Sequence, residues 1–322
     1  MSVKPRNESQ PSDWPELPWA EWSDTAATLH LWTQVVGKLR LTRMPWYNHS
    51  WHVALYPTAR GLTTGPIAFH GRIAELRFDF IDHQLLIEMD DGRARHVSLR
   101  DRSVADFYRA VMDELGQLGI EASIHTTPSE IADAIPFPED ETHHHYDPEF
   151  ANRFHRALLQ IHRVFSEFRA GFLGKVSPVH FFWGSFDLAV TRFSGRPAPV
   201  HPGGVPNFPD WVAAEAYSHE VSSAGFWPGG GGIDYPAFYS YAYPAPAGFA
   251  DARVKPADAF FSTDLGEFVL PYDAVRTAAS PDRALLEFLE STYEAAATLA
   301  DWDREQLERP HGGFGDAASK PE

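Results

Sequence analysis

The stretch that most constrains this chain is residues 175–196, KVSPVHFFWGSFDLAVTRFSGR, which is largely apolar yet carries charged side chains. A strand this apolar is normally buried. A buried charge is costly unless it is paired or used. His180, Asp187, Arg192 and Arg196 therefore mark a candidate site within this stretch. We expect Asp187, and one of Arg192 or Arg196, to be neutralised within the body of the protein.

Composition excludes several classes of protein. The chain has no cysteine, which excludes disulfides, thiolate catalysis and sulfur-ligated metals. A net charge of −17 argues against a nucleic-acid partner and against an anionic membrane surface. The N-terminus lacks the apolar core of a signal peptide, and no uncharged apolar run approaches ~20 residues. These features predict a soluble, cytoplasmic protein.

The apolar periodicity predicts an α+β fold, with mainly antiparallel sheet and helices packed on one side. Helical spacing indicates a helix beginning at Ser23 or Asp24, and others following Ser103, Asp147 and Ser280. Alternation indicates strands over 51–56, 73–80, 84–89, 94–99, 212–223, 237–243 and 267–270. The pair Asp91-Gly92 predicts a hairpin turn.

The same pattern divides the chain into five segments. Residues 1–16 and 308–322 are expected to be disordered tails, since they are polar and lack periodic apolar positions. Residues 17–126 and 149–307 are expected to form two α+β lobes, joined by a connector at 127–148. Both lobes run helix, His-bearing strand, further strands, helix. A duplicated unit explains this order, and so does ordinary alternation of elements.

A second candidate group follows the central stretch. If residues 212–223 form a strand, then Glu215, Tyr217 and His219 share one face. A carboxylate, a phenol and an imidazole together suit acid–base chemistry or a divalent metal. With His180 opposite, His180, Glu215 and His219 would suit non-haem iron or zinc. The structural alternative has His219 bonded to a backbone carbonyl and Glu215 paired with an arginine.

Other residues suggest a pocket. Trp183, Phe226 and Trp227 flank glycine-rich backbone and are candidates for the wall of a small-molecule site, with Arg196 as a polar contact. Core packing accounts equally well for the three rings. His49 and His52 lie three residues apart, and they would share a metal only if 48–50 were a turn.

Three hypotheses of function remain open. Common nucleotide-binding, α/β-hydrolase and zinc-protease signatures are absent from the sequence. Polar groups within aromatic sequence favour an enzyme acting on a small molecule, for which a divalent metal is a candidate cofactor. A non-catalytic small-molecule binding protein would use the same pocket. A structural or interaction protein would bury its aromatic residues in an oligomer interface.

Five long motifs carry a family resemblance: TLHLWTQVVGKLRL, NHSWHVALYPTARGLTT, KVSPVHFFWGSFDLAVTRFSGR, EAYSHEVSSAGFWPGG and FYSYAYPAP. They resemble an uncharacterised bacterial family, domain of unknown function 5996, from about Leu17 to Leu307. The resemblance implies a soluble bacterial protein and one family-wide unit. It implies no activity, cofactor or catalytic residue.

Overall fold

Two antiparallel sheets with helices packed on them form the computed structural model, which describes residues 13–230 and 232–309. The helices within these residues are α1 (Trp19–Arg43), α2 (Val104–Gln117), α3 (Pro148–Ala170), α4 (Asp210–Ala216), α5 (Tyr272–Arg276), α6 (Pro281–Leu299) and α7 (Arg304–Leu307). The predicted α+β class is thus confirmed.

The first sheet has the order β1-β2-β3-β4-β5 and the second has the order β10-β11-β9-β8-β7-β6. Their strands are β1 (Tyr56–Pro57), β2 (Gly61–Phe69), β3 (Arg72–Asp79), β4 (Gln84–Met89), β5 (Ala94–Ser98), β6 (His180–Phe182), β7 (Asp187–Pro197), β8 (His219–Trp227), β9 (Ala237–Tyr243), β10 (Phe260–Ser262) and β11 (Glu267–Pro271). The sheets meet where Leu55 and Phe181 exchange two backbone hydrogen bonds of 2.8 Å.

Local sequence signals set the helix starts. The Ser103 side chain accepts the amide of Asp106, and Asp147 caps α3 with Pro148 at its first position. Pro281 likewise opens α6 after Ser280, as predicted. The exception is α1, which begins at Trp19, earlier than Ser23, because Trp22 is already fully buried against the core. Among the described residues, no helix is long and apolar enough to span a bilayer.

Two predicted strands are absent. Residues 48–50 form a 3₁₀ turn, 51–53 continue as turn, and the first strand starts only at Tyr56. In the range 212–223, α4 occupies the first half and β8 begins at His219. The alternation there was misleading because Val212 and Ala213 are buried as one helical face, packed against the 48–50 turn.

The chain is already docked before residue 17. Trp14 is only 2% exposed, and its ring lies 6.0 Å from that of Tyr272. The Tyr272 hydroxyl donates to the carbonyl of Pro15 at 2.9 Å. The predicted N-terminal tail therefore extends too far, while residues 1–12 and 310–322 lie outside the described residues. The duplicated unit stays a prediction, with α1 and α2 flanking the first sheet in the chain and α3 and α6 flanking the second.

One face of the second sheet packs against α3 and α6. Arg192, on β7, points into this apolar layer and is 1% exposed. Its guanidinium lies 3.4 Å from the ring centroid of Phe168 and 4.3 Å from that of Tyr293. It also donates to Glu290 at 3.3 Å and to the carbonyl of Phe168. Arg192 is thus neutralised within the body by Glu290. It does not pair with Asp187, because side chains five positions apart on a strand face opposite ways.

Replacing Arg192 by Ala is expected to destabilise the fold by ~3 kcal/mol, since it removes a buried cation and leaves a cavity between three aromatic rings. The matched control is Arg283→Ala, which removes an exposed helical pair with Glu287 and should change stability by under ~0.5 kcal/mol. Urea unfolding monitored by circular dichroism measures both. Equal effects of the two substitutions would contradict this assignment.

Candidate functional site

The other face of the second sheet carries the polar groups. The β7–β8–β9 register puts Asp187, Ala189 and Thr191 on this face, together with Ser223, Gly225, Trp227, Tyr239 and Tyr241. Glu267 continues the face on β11. We call this surface the polar face. Its carboxyl and phenol groups, with two contributed from outside the sheet, form the carboxyl–phenol cluster: Glu130, Asp187, Tyr217, Tyr239, Tyr241 and Glu267.

Asp187 lies at the centre of the cluster. It is 3% exposed and accepts hydrogen bonds from the Ser185 hydroxyl at 2.5 Å and from the Tyr239 hydroxyl. Burial raises the pKa of Asp187 to about 6, and the two hydroxyl donors partly offset this effect. Tyr239 reaches Asp187 by lying across β8 at Gly225, where a Cβ atom would come within 2.2 Å of the phenol oxygen. Only glycine leaves that path open.

Glu130 approaches Asp187 from the segment that precedes α3. Its carboxyl packs on Gly184, where a Cβ atom would lie 2.0 Å from the Glu130 Oε1 atom. Gln34 of α1 holds the segment by exchanging two hydrogen bonds, of 2.7 and 3.0 Å, with the backbone of Ser129. Burial raises the pKa of Glu130 to about 7, and the charge of Asp187 adds to the effect.

Glu267 is the third carboxyl and has the most strongly raised pKa of the three. Burial, followed by the charge of Asp187, raises it to about 8. Its Oε2 atom is buried and has no hydrogen-bond partner among the described residues. A carboxyl in this setting is largely protonated at neutral pH, so it is able to donate a proton.

The phenols extend the cluster towards α4. Tyr217, just after α4, and Tyr241 share a hydroxyl–hydroxyl hydrogen bond of 2.8 Å. Burial raises the pKa of Tyr217 to about 12 and that of Tyr241 well above its usual value, so both stay protonated. Trp227 packs on Tyr239 with ring centroids 4.3 Å apart, which gives the cluster an aromatic wall.

The cluster reaches solvent, since Glu130, Tyr217, Tyr241 and Glu267 are only partly buried. Two surface cavities lie elsewhere, beside α6, with volumes of about 590 and 200 Å³. The residues that line them include none of the six that make up the cluster. Neither of these two cavities therefore belongs to the cluster.

The predicted metal set does not converge. His180 pairs with Ala189 and His219 with Pro197, eight positions apart along β7 and so about 25 Å apart. Glu215 lies on α4, where it accepts from the Trp46 indole at 2.5 Å. Glu215, Tyr217 and His219 do not share a strand face, because α4 ends between them. Within 13–230 and 232–309, no three His, Asp or Glu side chains are placed to hold a metal ion.

His180 is nonetheless a buried group on the polar face. It is 1% exposed, and neither ring nitrogen has a hydrogen-bond partner among the described residues. Its ring packs 4.4 Å from that of Phe182. Burial lowers the pKa of His180 to about 3, so the imidazole is neutral.

The predicted pocket residues separate. Trp227 borders the cluster, whereas Phe226 is fully buried on the opposite face. Trp183 is 5% exposed, packs on Gly37 and donates to the carbonyl of Val53 at 2.9 Å. Arg196 binds Glu220 at 2.7 Å and the carbonyls at the end of α6. Three of these four residues thus hold the structure together away from the cluster.

The family of the chain is identified by its match to a protein-family model. A model described as a family of unknown function, DUF5996, matches residues 14–309. The chain belongs to this family. No curated protein and no solved structure matches it.

Of the residues at this candidate site, the sequence had suggested Asp187, Tyr217 and Trp227, and it had not suggested Glu130, Tyr239, Tyr241 or Glu267. The tyrosines were visible as a period-two pattern, which placed them on one face without indicating what they faced. Glu130 lay in the predicted connector and had no periodic pattern around it. Strand register, which brings Tyr239 to Asp187, is not written in either strand alone.

The cluster predicts that stability falls as pH rises. Asp187 has a folded-state pKa of about 6 against 3.8 in the unfolded chain, so below pH ~4 it is protonated in both states. As pH rises to 6, the unfolded chain releases this proton first, and ~3 kcal/mol of stability is lost. Asp187→Asn should remove this loss. In urea unfolding at pH 5 and pH 8, the free energy of unfolding of the variant relative to that of the parent should be higher at pH 8.

The control for this measurement is Asp264→Asn, which changes an exposed aspartate in the β10–β11 turn. It should leave the pH dependence of unfolding as it is in the parent. If Asp187→Asn and the parent lose the same stability between the two pH values, Asp187 does not titrate as described.

Proposed function

We propose that the protein is an enzyme that acts on a small molecule by general acid–base catalysis at the carboxyl–phenol cluster. One observation carries this proposal. Three carboxyl groups with pKa values of about 6, 7 and 8 belong to one cluster, in which the charge of Asp187 acts on both Glu130 and Glu267. Groups poised near neutral pH are the best proton donors and acceptors at that pH, and such shifts cluster at functional sites.

The different pKa values assign the roles. At pH 7 Asp187 is mostly ionised, which suits a general base, and Glu267 is mostly protonated, which suits a general acid. The Tyr239 hydroxyl orients Asp187 by donating to one of its oxygens. Glu130, with a pKa of about 7, is partly ionised at pH 7, so its protonation changes the charge around Asp187. The reaction class this supports is proton transfer to and from a small substrate, as in hydrolysis or isomerisation.

The proposal replaces the predicted His180, Glu215 and His219 set with carboxyl and phenol groups. The earlier group depended on a strand that is absent, whereas Asp187 and Tyr239 are joined by a direct hydrogen bond. The small-molecule substrate and the aromatic surroundings are kept from the sequence-based hypothesis. Trp227 and Tyr239 supply an apolar wall against which a substrate ring or carbon chain would pack.

A second candidate is a non-catalytic small-molecule binding protein. The Glu267 Oε2 atom favours it, since this buried oxygen has no partner among the described residues and a ligand donor would satisfy it. In that case the ligand would bind without being converted, and the raised pKa values would report burial alone.

The test is a panel of chromogenic esters, amides, glycosides and phosphate esters, with kcat/KM measured against pH. The limbs of a bell-shaped profile are expected near 6, where Asp187 loses its proton, and near 8, where Glu267 loses its own. Asp187→Asn and Glu267→Gln should each lower kcat/KM by ~100-fold or more, and each should abolish one limb of the profile.

The matched control is Tyr243→Phe, two residues beyond Tyr241 on β9, whose hydroxyl donates to the carbonyl of Pro199. It should keep the parent activity. Turnover that survives both carboxyl substitutions would exclude the cluster as the active site. Ligand-induced thermal stabilisation that is lost in Asp187→Asn, without turnover of any compound, would favour the binding protein.

A further inference from the structure

A second group of titratable side chains lies at the other end of the polar face. Lys175 runs alongside β7, where its carbonyl accepts the amide of Phe193 at 3.0 Å. Phe193 lies six positions after Asp187 on β7, which corresponds to about 20 Å. This distance exceeds the reach of a small ligand, so the group is separate from Asp187, and it borders the carboxyl–phenol cluster at Tyr217, whose neighbour Ala216 bonds His49.

Lys175 forms a hydrogen-bonded pair with His49. The Lys175 Nζ atom lies 2.6 Å from the His49 Nε2 atom, and the His49 Nδ1 atom lies 2.8 Å from the carbonyl oxygen of Ala216. Because a carbonyl only accepts, Nδ1 carries the proton and Nε2 is left as an acceptor. The imidazole thus presents a basic nitrogen to the amine, and the carbonyl of Ala216 holds it in that tautomer.

The position of His49 is set by several contacts. The residue is 5% exposed, and its ring lies 4.6 Å from that of Phe193. His49 and Ser50 both have φ of 57°, a conformation that non-glycine residues rarely adopt. Backbone in such sparsely populated regions persists only where the surroundings impose it, and it is found preferentially at functional sites.

The surroundings of Lys175 act on its charge in opposite directions. Its Nζ atom lies 4.9 Å from the Phe193 ring centroid and 5.6 Å from that of Trp51, and rings at this distance favour an ammonium. The titratable groups that act on it are His49 and Glu215, and the ring of His219 lies 6.1 Å from that of His49. Burial lowers the pKa of Lys175, and Glu215 opposes this change.

We infer that Lys175 is a nucleophilic amine, with His49 as its base, that condenses with small aldehydes or ketones. An amine hydrogen-bonded to a base that a third group orients is the arrangement that activates nucleophiles in enzymes. Lysine is the side chain that forms imines when partly desolvated. The Trp51 and Phe193 rings provide apolar walls for the carbon skeleton of the carbonyl compound.

The reaction balances without an oxidant or reductant. The Nζ lone pair attacks the carbonyl carbon, a C–N bond forms, and the C=O π electrons move to the oxygen. His49 Nε2 takes one proton from the nitrogen and passes it to this oxygen, which gives a carbinolamine. His49 then takes the second proton from the nitrogen and delivers it to the hydroxyl group, which leaves as water while the C=N bond forms. The net change is amine plus carbonyl compound giving imine plus water.

Two other lysines in the described residues serve as internal controls. Lys255 is exposed, and its amine makes no hydrogen bond or ion pair among the described residues. Lys38 is 4% exposed and donates to the carbonyl of Thr127 at 2.5 Å. Burial also lowers the pKa of Lys38, to about 8. Lys38 therefore shows how fast a lysine reacts when its pKa is low but its amine is buried and, within the described part of the chain, has no base beside it.

The experiment treats the full-length protein with propionaldehyde and sodium cyanoborohydride at pH 7, which reduces an imine to a stable secondary amine. Peptide mass spectrometry then gives the rate at each lysine. We expect Lys175 to be modified several-fold faster than Lys255, because burial lowers the pKa of Lys175 and His49 accepts a hydrogen bond from its amine, and Lys38 to react least. Equal rates at Lys175 and Lys255 would overturn the inference.

Two substitutions test whether His49 and the Lys175 amine are responsible for the fast labelling. His49→Asn removes the base while keeping a residue that tolerates positive φ, and it should slow labelling of Lys175 to the rate of Lys255 while sparing Lys255 itself. Lys175→Arg should abolish the adduct and keep the charge. Acetic anhydride labelling of the parent protein across pH measures the reactivity of the Lys175 amine without any substitution. Fast acylation at Lys175 without any trapped imine would overturn the assignment of a carbonyl ligand.

Discussion

The structure depends on how β7 accommodates two buried charges of opposite sign. Asp187 and Arg192 are five positions apart, so they face opposite sides of the second sheet and cannot neutralise each other. Arg192 is held between aromatic rings and Glu290 in the layer under α3 and α6. Asp187 is left with neutral donors, among them the hydroxyls of Ser185 and Tyr239. One strand thereby gives the sheet a structural face and a chemically active face.

Among the described residues Asp187 has no cationic partner, and this explains the electrostatics of the cluster. A carboxylate paired with arginine has a lowered pKa, whereas burial with hydroxyl donors leaves the pKa of Asp187 raised. Burial also raises the pKa values of Glu130 and Glu267, and the charge of Asp187 adds to this effect.

Both halves of the chain contribute to the polar face. The second sheet comes from the later half, but Glu130 comes from the segment before α3, and His49 comes from the turn after α1. The pairing of Leu55 with Phe181 fixes the turn beside the sheet. Gly184 and Gly225 let Glu130 and Tyr239 approach the sheet closely. Groups distant in sequence are thus held on rigid elements, as precise chemistry requires.

Much of the fold could be predicted from the sequence. Caps at Ser103 and Asp147, the Asp91-Gly92 hairpin and the helical spacing are local signals, because they act within one turn or one strand. Those signals predicted the α+β class, three of the helix starts and the candidate stretch around Asp187. The range 212–223 failed because period-two and helical patterns cannot be separated over so few apolar residues.

The sequence by itself determined that a buried acid and a buried base on this strand needed partners, because that need follows from the energy of a charge in an apolar segment. It could not identify those partners. Tyr239 and Glu290 are 52 and 98 positions away from Asp187 and Arg192, and strand register and helix packing brought them there. Only the tertiary structure decided that Asp187 would meet hydroxyls and other acids, because pairing across a sheet is a property of two strands and not of one.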